Sequence, residues 1–472
     1  MGHLGVRLRV VMCAMALAGS AAAQTAAHPA ESTKAAQNIA PVATPAQIDA
    51  LILQVLDGAN SYGWDAQNKG IFINWRRDDP TQVQCNDNRC DTPDKPTRHD
   101  PINDVRLLQH MYWYEYRHPG DHHFDAAIAR ILPTVKDRWG HSHLEKGWVY
   151  FILERLYDYT DSPRDKSYWE EDLKGWADAQ YKHIDAAAGV QHSKNLGNCD
   201  CGAHTIHLGD AYRVDHALES GAALVAAGTR FHHPEWVAAG YKEVMTVYRQ
   251  TFSQQYHLFA RIYMFQDATY GDNKIFDAQA RMGESSEEVD ALVRAGFVTT
   301  DPAIRKQFWD IAAQVLTALR DLPIHDREHG GFFNSFFTAD NYNGKKAGTL
   351  SGTDKESRQL SMVGTYHLAN QLMTPKNQWP DMEAEMLRVV VNSFENKQAP
   401  GMFMPDTGKF SKLVNGYPGN VAGYTYHLNG DFTLYDGHAP GGENWVSNEA
   451  NSLALLGLQE YLSPAQPASL AH

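Results

Sequence analysis

Beyond residue 23 the sequence has no long apolar run. The one such stretch, "VVMCAMALAGS", lies near the N-terminus and is too short to cross a bilayer. No membrane span is therefore expected. There is no run of Lys or Arg either. With 42 basic against 56 acidic residues the formal net charge is -14, which disfavours nucleic acid as a partner. No P-loop, dinucleotide-binding glycine fingerprint, Gly-x-Ser-x-Gly elbow or His-Glu-x-x-His pair is present. No cofactor is expected and no metal site is assigned.

Cysteine is scarce, with 5 in the chain. Cys13 sits inside the apolar stretch, which follows Arg7 and Arg9 and ends in small residues. That order reads as a signal peptide over residues 1–23, cleaved after Ala23. The expectation is export to the periplasm or the cell exterior. Cys85, Cys90, Cys199 and Cys201 remain, and an even number in an exported chain suggests disulfides. Cys85 with Cys90 closes a loop, whereas a bridge across Cys199-Asp200-Cys201 would be strained. Cross-pairing between the two loops stays open, as does a four-thiolate metal site, although C-x-C is unusual spacing for zinc.

What the sequence does have is helical periodicity. Residues 24–43 form an Ala-, Thr-, Ser- and Pro-containing leader, expected to be disordered. A single folded domain is expected over 44–464, with a flexible tail at 465–472. "PAQIDALILQVLDGAN" (45–60) places apolar residues at i, i+3, i+4 and i+7. "DPINDVRLLQHMYWYEYR" (100–117) and "DPAIRKQFWDIAAQVLTALRDL" (301–322) open on Asp-Pro, a cap followed by a first-turn proline. Residues 204–228 and 353–372 each read as one helix. The total is about twelve helices, with strand-like pieces such as "GIFINW" and "GGFFNSFF" confined to connections.

Short connections alternate with long ones at 61–99, 186–203, 267–283, 325–352 and 398–442. Long loops holding Gly and aromatics are usually functional. There is also an internal echo. "YGWDAQNKGIFINW" with its following helix parallels "LPIHDREHGGFFNSFF" with the segment "TDKESRQLSMVGTYHL".

The Asp-x-x-x-Gly-Gly-Phe-Phe turn, followed by a segment opening Lys-Glu-Ser-Arg-Gln, resembles the six-hairpin, or (α/α)6, toroid enzymes. That group includes the N-acylglucosamine 2-epimerase-like proteins and many secreted glycoside hydrolases. The resemblance spans most of residues 45–462 and is fold-level. It implies an all-α toroid of about twelve helices with short β-hairpins in the rim loops. It also implies a carbohydrate substrate, bound on the face where long loops meet the starts of the inner helices. No catalytic residue is carried over from it. "HDREHGGFFNSF" (325–336) would be a rim hairpin, with Phe332 and Phe333 packing the rim and Asn334 a ligand contact.

Glycoside cleavage needs two carboxyl groups. The catalytic candidates are Asp100, Asp104, Glu356, Glu443 and Glu449. Each could instead be a cap or first-turn acid; Asp100 and Asp354 most resemble caps, whereas Asp104 and Glu449 lie a turn further in. The substrate-binding candidates are Trp75, Arg77, Asp79, His99, His204, His207, Asn334, His438 and Trp445. Trp75, Trp445 and Tyr426 are either stacking platforms or core aromatics. His204 and His207 share a helical face and suit sugar hydroxyls or structural hydrogen bonds better than a metal.

The favoured function is a secreted glycoside hydrolase, with inversion the expected outcome by resemblance. The alternatives are a polysaccharide lyase using Arg76, Arg77, Arg98 and His99, a sugar epimerase, and a non-catalytic glycan-binding protein. The sequence leaves the oligomeric state open.

Overall fold

The apolar periodicity becomes twelve α-helices among the described residues: α1 Pro45–Tyr62, α2 Pro101–Arg117, α3 Asp125–Arg138, α4 Gly147–Tyr159, α5 Pro163–His183, α6 Val214–Arg230, α7 Pro234–Thr251, α8 Met282–Val298, α9 Pro302–Asp321, α10 Met362–Leu372, α11 Pro380–Val391 and α12 Asn448–Leu462. The computed structural model describes residues 42–67, 69–77, 79–81, 83–84, 101–138, 146–191, 199–200, 205–206, 210–266, 274–392, 401–404, 421–433 and 445–463. All belong to one unit, Pro41–His472. Ala43, at the end of the leader span, is already buried. Among the described residues, no helix is long and apolar enough to cross a membrane.

Helix starts follow the capping chemistry. Asp301 accepts from the N–H groups of Ala303 and Ile304, and Pro302 opens α9. Thr44 and Gln47 form a capping box at α1.

The even-numbered helices pack on one another in order. α2 meets α4, α4 meets α6, α6 meets α8, α8 meets α10, α10 meets α12, and α12 returns to α2. The odd-numbered helices pack outside them: α3 on α2, α5 on α4, α7 on α6, α9 on α8, α11 on α10, and α1 on α12. This closed double ring is an (α/α)6 toroid. Burial follows position. Inner helix α6 is buried from Val214 to Gly228 with His216 as the exception. Outer helix α9 buries one stripe, Ile304, Phe308, Ile311, Val315 and Leu319. Gly221 and Gly240 let α6 and α7 touch at the backbone, because a Cβ on Gly240 would lie 2.4 Å from the Gly221 carbonyl oxygen.

Each inner helix is reached through an antiparallel outer one, so all six inner helices run the same way. Their N-termini meet on one face. Short strands deliver the chain there: Asp210–Arg213 into α6, Gln279–Arg281 into α8, and Trp445–Ser447 into α12. Lys355–Glu356 leads through a 3-10 turn, Ser357–Ser361, into α10. Trp445–Ser447 pairs antiparallel with Asn74–Arg76, which ties the last connection to the first.

Two helix expectations are corrected. Residues 204–228 are not one helix, since Thr205–Ile206 pairs with Cys199–Asp200 and Asp210–Arg213 pairs with Ile262–Gln266. His204 and His207, for which a shared helical face is expected, lie outside the described residues. Residues 353–372 are likewise interrupted, because Lys355–Glu356 pairs with His427–Leu428. Strand pairing across loops far apart in sequence decided both, and local periodicity does not register it. Asp354 is consequently not a helix cap; its carboxylate accepts from the Asn334 amide at 3.1 Å.

The 325–336 segment is a rim turn, with His325 bridged to Phe332 and with Gly330 and Gly331 at φ 86 and 73. Phe332 is fully buried, so it packs the rim. Lys355 is buried beneath it and pairs with Asp326 at 2.7 Å.

Glu243 in α7 is fully buried. One oxygen accepts the Gln191 N–H at 2.8 Å. The other oxygen and the neighbouring Gln180 Oε1 have no partner while Glu243 is ionised. A proton on Glu243 removes the buried charge. Burial accordingly pushes its pKa from 4.5 up to about 8. The folded state then holds a proton that the unfolded state releases, so stability is greatest below the unfolded pKa and falls as pH rises towards 8. Glu243→Gln should melt near the wild-type temperature at about pH 5 and above it at about pH 8, as read by thermal denaturation across pH.

Candidate active site

Where the inner helices start, a cavity of about 190 Å³ opens. Each wall comes from a different hairpin. α2 supplies Arg106, and the start of α4 supplies Lys146 and Trp148. The strand before α6 supplies Arg213, and the first turn of α6 supplies Asp215 and His216. α8 supplies Glu287, the 3-10 turn supplies Arg358, and α12 supplies Glu449. A smaller chamber of about 50 Å³ shares Arg106, Trp148 and Glu287 with it. The chamber continues one turn deeper along the axis, to Gln109, Glu219, Asp290 and Ser452.

The electrostatics separate the acids. Arg213 grips Asp215 with both ends, Nε to Oδ1 at 3.0 Å and a second nitrogen to Oδ2, and reaches Glu284 at 2.9 Å. Arg261 holds the same Glu284 oxygen at 3.0 Å. Burial alone would raise Asp215, but Arg213 outweighs it and holds the carboxyl well below the usual range. Glu287 behaves oppositely. Burial lifts it to about 7 against the pull of Arg358 and Arg106. Glu219 and Glu288 are pushed well above their ordinary value, mainly by burial and then by neighbouring acids. His216 is lowered to about 3 by burial, so its ring is neutral near pH 7. Arg106 lies over the Trp148 ring at 4.6 Å.

Asp215, Glu219 and Glu287 each offer an oxygen, all within 4.8 Å of one another. That spacing alone would suit a cation. The double grip of Arg213 on Asp215, with Arg106 and Arg358 nearby, makes protons the better-matched positive charge.

The structure sorts the candidates from sequence. Glu449 lines the cavity, 3.7 Å from Arg106 and 3.5 Å from Arg358. It lies in the first turn of α12 and is not the cap, which is Ser447. Glu356 stands behind the wall, buried beside Arg281 and Arg358 and accepting the Tyr426 hydroxyl at 2.5 Å. Burial would raise Glu356, yet Arg358 and Arg281 hold it at about 2. Asp104 is fully buried and accepts the Ile71 N–H at 2.6 Å, so it anchors a rim strand and is not on the cavity wall.

Trp75 is fully enclosed in the core. Arg77 donates to the Val421 carbonyl at 3.0 Å and ties two rim segments. Asp79 serves its own turn, accepting the Thr81 hydroxyl at 2.5 Å. Asn334 braces Asp354 and, through its carbonyl, the Met282 N–H at 2.7 Å. Trp445 is half-buried and paired with Arg76. Asp100, His99, His204, His207, Glu443 and His438 lie outside the described residues, as do Cys85, Cys90 and Cys201 and the side chain of Cys199.

Sequence reasoning missed Asp215, Glu219 and Glu287. The signal was there in "YRVDHALES" and "RMGESSEEVD", where an Arg ends a strand and acids follow at helical spacing. The first was hidden inside the single helix expected over 204–228.

No family model matches the chain, and no curated protein matches it in sequence. Solved structures do match in fold. One is an unsaturated glucuronyl hydrolase specific for heparin, at TM-score 0.58 and 12% identity over 88% of this chain and 96% of that one. Another is a D-mannose isomerase, at 0.56 and 11% over 89% and 98%. A third is a possible member of the GH105 family from Salmonella enterica subsp. enterica serovar Paratyphi A, at 0.54 and 15% over 92% and 98%. The chain thus has the fold of the (α/α)6 toroid carbohydrate-active enzymes.

Asp104→Asn should destabilise the protein by about 1–3 kcal/mol, the cost of weakening a buried charged acceptor. It should leave the affinity of the cavity for sugars unchanged. Denaturant midpoints and sugar titrations check the two halves.

Proposed function

We propose that the cavity is the active site of an exported glycoside hydrolase that acts on acidic oligosaccharides. The observation that carries this reading is the opposed pair in one cavity. Glu287 holds its proton up to about pH 7, while Asp215 stays ionised against Arg213. Two carboxyls pushed apart in pKa are what glycosidic cleavage requires. Glu287 donates its proton to the departing glycosidic oxygen. Asp215 supplies the negative charge that an oxocarbenium-like transition state needs.

The oxygens of the pair lie within 4.8 Å of each other. That closeness lets the two carboxyls act on one glycosidic bond.

The cations indicate the substrate class. Arg106, Lys146, Arg213 and Arg358 line one small cavity in a chain of net charge -14. Such local concentration of positive charge favours an anionic group on the sugar. A fold neighbour is named for unsaturated glucuronyl hydrolysis, which agrees with this direction. Export rests on the N-terminal signal sequence. The lyase reading has less support, because Arg77 is spent on the Val421 carbonyl.

The mature protein should release reducing ends from uronic-acid oligosaccharides, saturated or unsaturated, faster than from neutral ones. Glu287→Gln should lower kcat by about 10²–10⁴-fold, and less on substrates whose leaving group needs no proton. New ultraviolet absorbance from an eliminated product, or interconversion of free sugars without cleavage, would sink the hydrolase reading.

A further inference from the structure

Glu219 has no role in the scheme above. It sits one turn below Asp215 on α6, fully buried. One oxygen accepts the Trp148 N–H at the start of α4, at a long 3.3 Å. The other, Oε1, has no hydrogen-bond partner. An ionised carboxylate with a bare oxygen in such a place is costly. Glu219 and Glu287 both line the chamber of about 50 Å³, which has room for water. Their oxygens lie within 4.8 Å of each other, a gap spanned directly or through one water.

We propose that Glu219 is a positioning residue: a neutral carboxylic acid behind Glu287, whose Oε1 hydrogen bonds towards Glu287 and aims that carboxyl into the cavity.

The surrounding charges support the neutral state. Lys146, Arg106, Arg213 and Arg358 face the outer cavity, where Asp215, Glu287 and Glu449 meet them. Arg106 also lines the chamber of Glu219, together with Arg155, which donates to Glu460 at 2.9 Å, and Asp290, which accepts from Arg294 at 2.7 Å. Glu288 and Glu284 of α8 and the neutral His216 of α6 stand nearby. The strongest influences on Glu219 after burial are Glu287, Asp215 and Glu288, and all three oppose ionisation. Asp215 is already gripped by Arg213. That leaves Glu287 as the acceptor for the proton on Glu219.

The role assigned to Glu287 rests on the hydrolase reading; the protonation of Glu219 does not. The test therefore has two arms. In infrared difference spectra at about pH 8, one carbonyl component of a neutral carboxylic acid should disappear in Glu219→Gln and persist in Glu287→Gln. In kinetics, Glu219→Leu should lower kcat at least about tenfold at unchanged KM and shift the pH profile, while Glu219→Gln, which keeps a neutral donor, restores most of the rate. Loss of no carbonyl component would overturn the proposal. So would equal damage from Gln and Leu in folded protein, or a rise in melting temperature on adding Ca²⁺ or Mg²⁺ that Glu219→Gln abolishes. A wild type that cleaves no glycan would refute the hydrolase reading alone, because the infrared arm still decides whether Glu219 is neutral.

Discussion

The double grip of Arg213 on Asp215, continued onto Glu284, is the interaction on which the site depends. It joins the strand entering α6 to the first turns of α6 and α8. It also sets the charges. A buried Asp215 without a cation would take up a proton. With Arg213 in place, Asp215 is an anion in the same space where Glu287 keeps a proton. Such pairs are strongly destabilising to break once buried, so Arg213 ties the chemistry to the integrity of the rim.

The toroid provides the geometry for this. Six inner helices arrive with their N-termini on one face; five of them contribute residues from their first two turns, and the 3-10 turn ahead of α10 contributes Arg358. No single segment carries the site. Arg106, Asp215, Glu287 and Glu449 are far apart in sequence and meet only because the ring closes through α12 and α2. The strand Trp445–Ser447 on Asn74–Arg76 reinforces that closure at the rim.

This explains what the sequence made legible. Helix periodicity and Asp-Pro starts are local, so α1, α2 and α9 were readable within a residue or two. The repeated Gly-aromatic turns made the toroid readable by resemblance. The short strands that deliver the chain to α6 and α10 were not readable, because their partners lie at Ile262–Gln266 and His427–Leu428. The site suffered from the same blindness. Acids at loop–helix junctions were sought; of these Glu449 lines the cavity, Glu356 stands behind its wall, and Asp104 anchors a rim strand. Asp215 was overlooked because the helix start was placed ten residues too early, at 204 instead of 214.

The central claim is that one cavity holds an ionised Asp215 and a Glu287 that titrates near neutrality. Carboxyl-labelled glutamate and aspartate, followed by carbon NMR across pH, test it most directly. The account predicts one glutamate with a midpoint near 7 whose signal is lost in Glu287→Gln, together with an aspartate that stays ionised down to strongly acidic pH. Removal of no near-neutral midpoint in Glu287→Gln, or a midpoint for Asp215 in the ordinary carboxylate range, would contradict it.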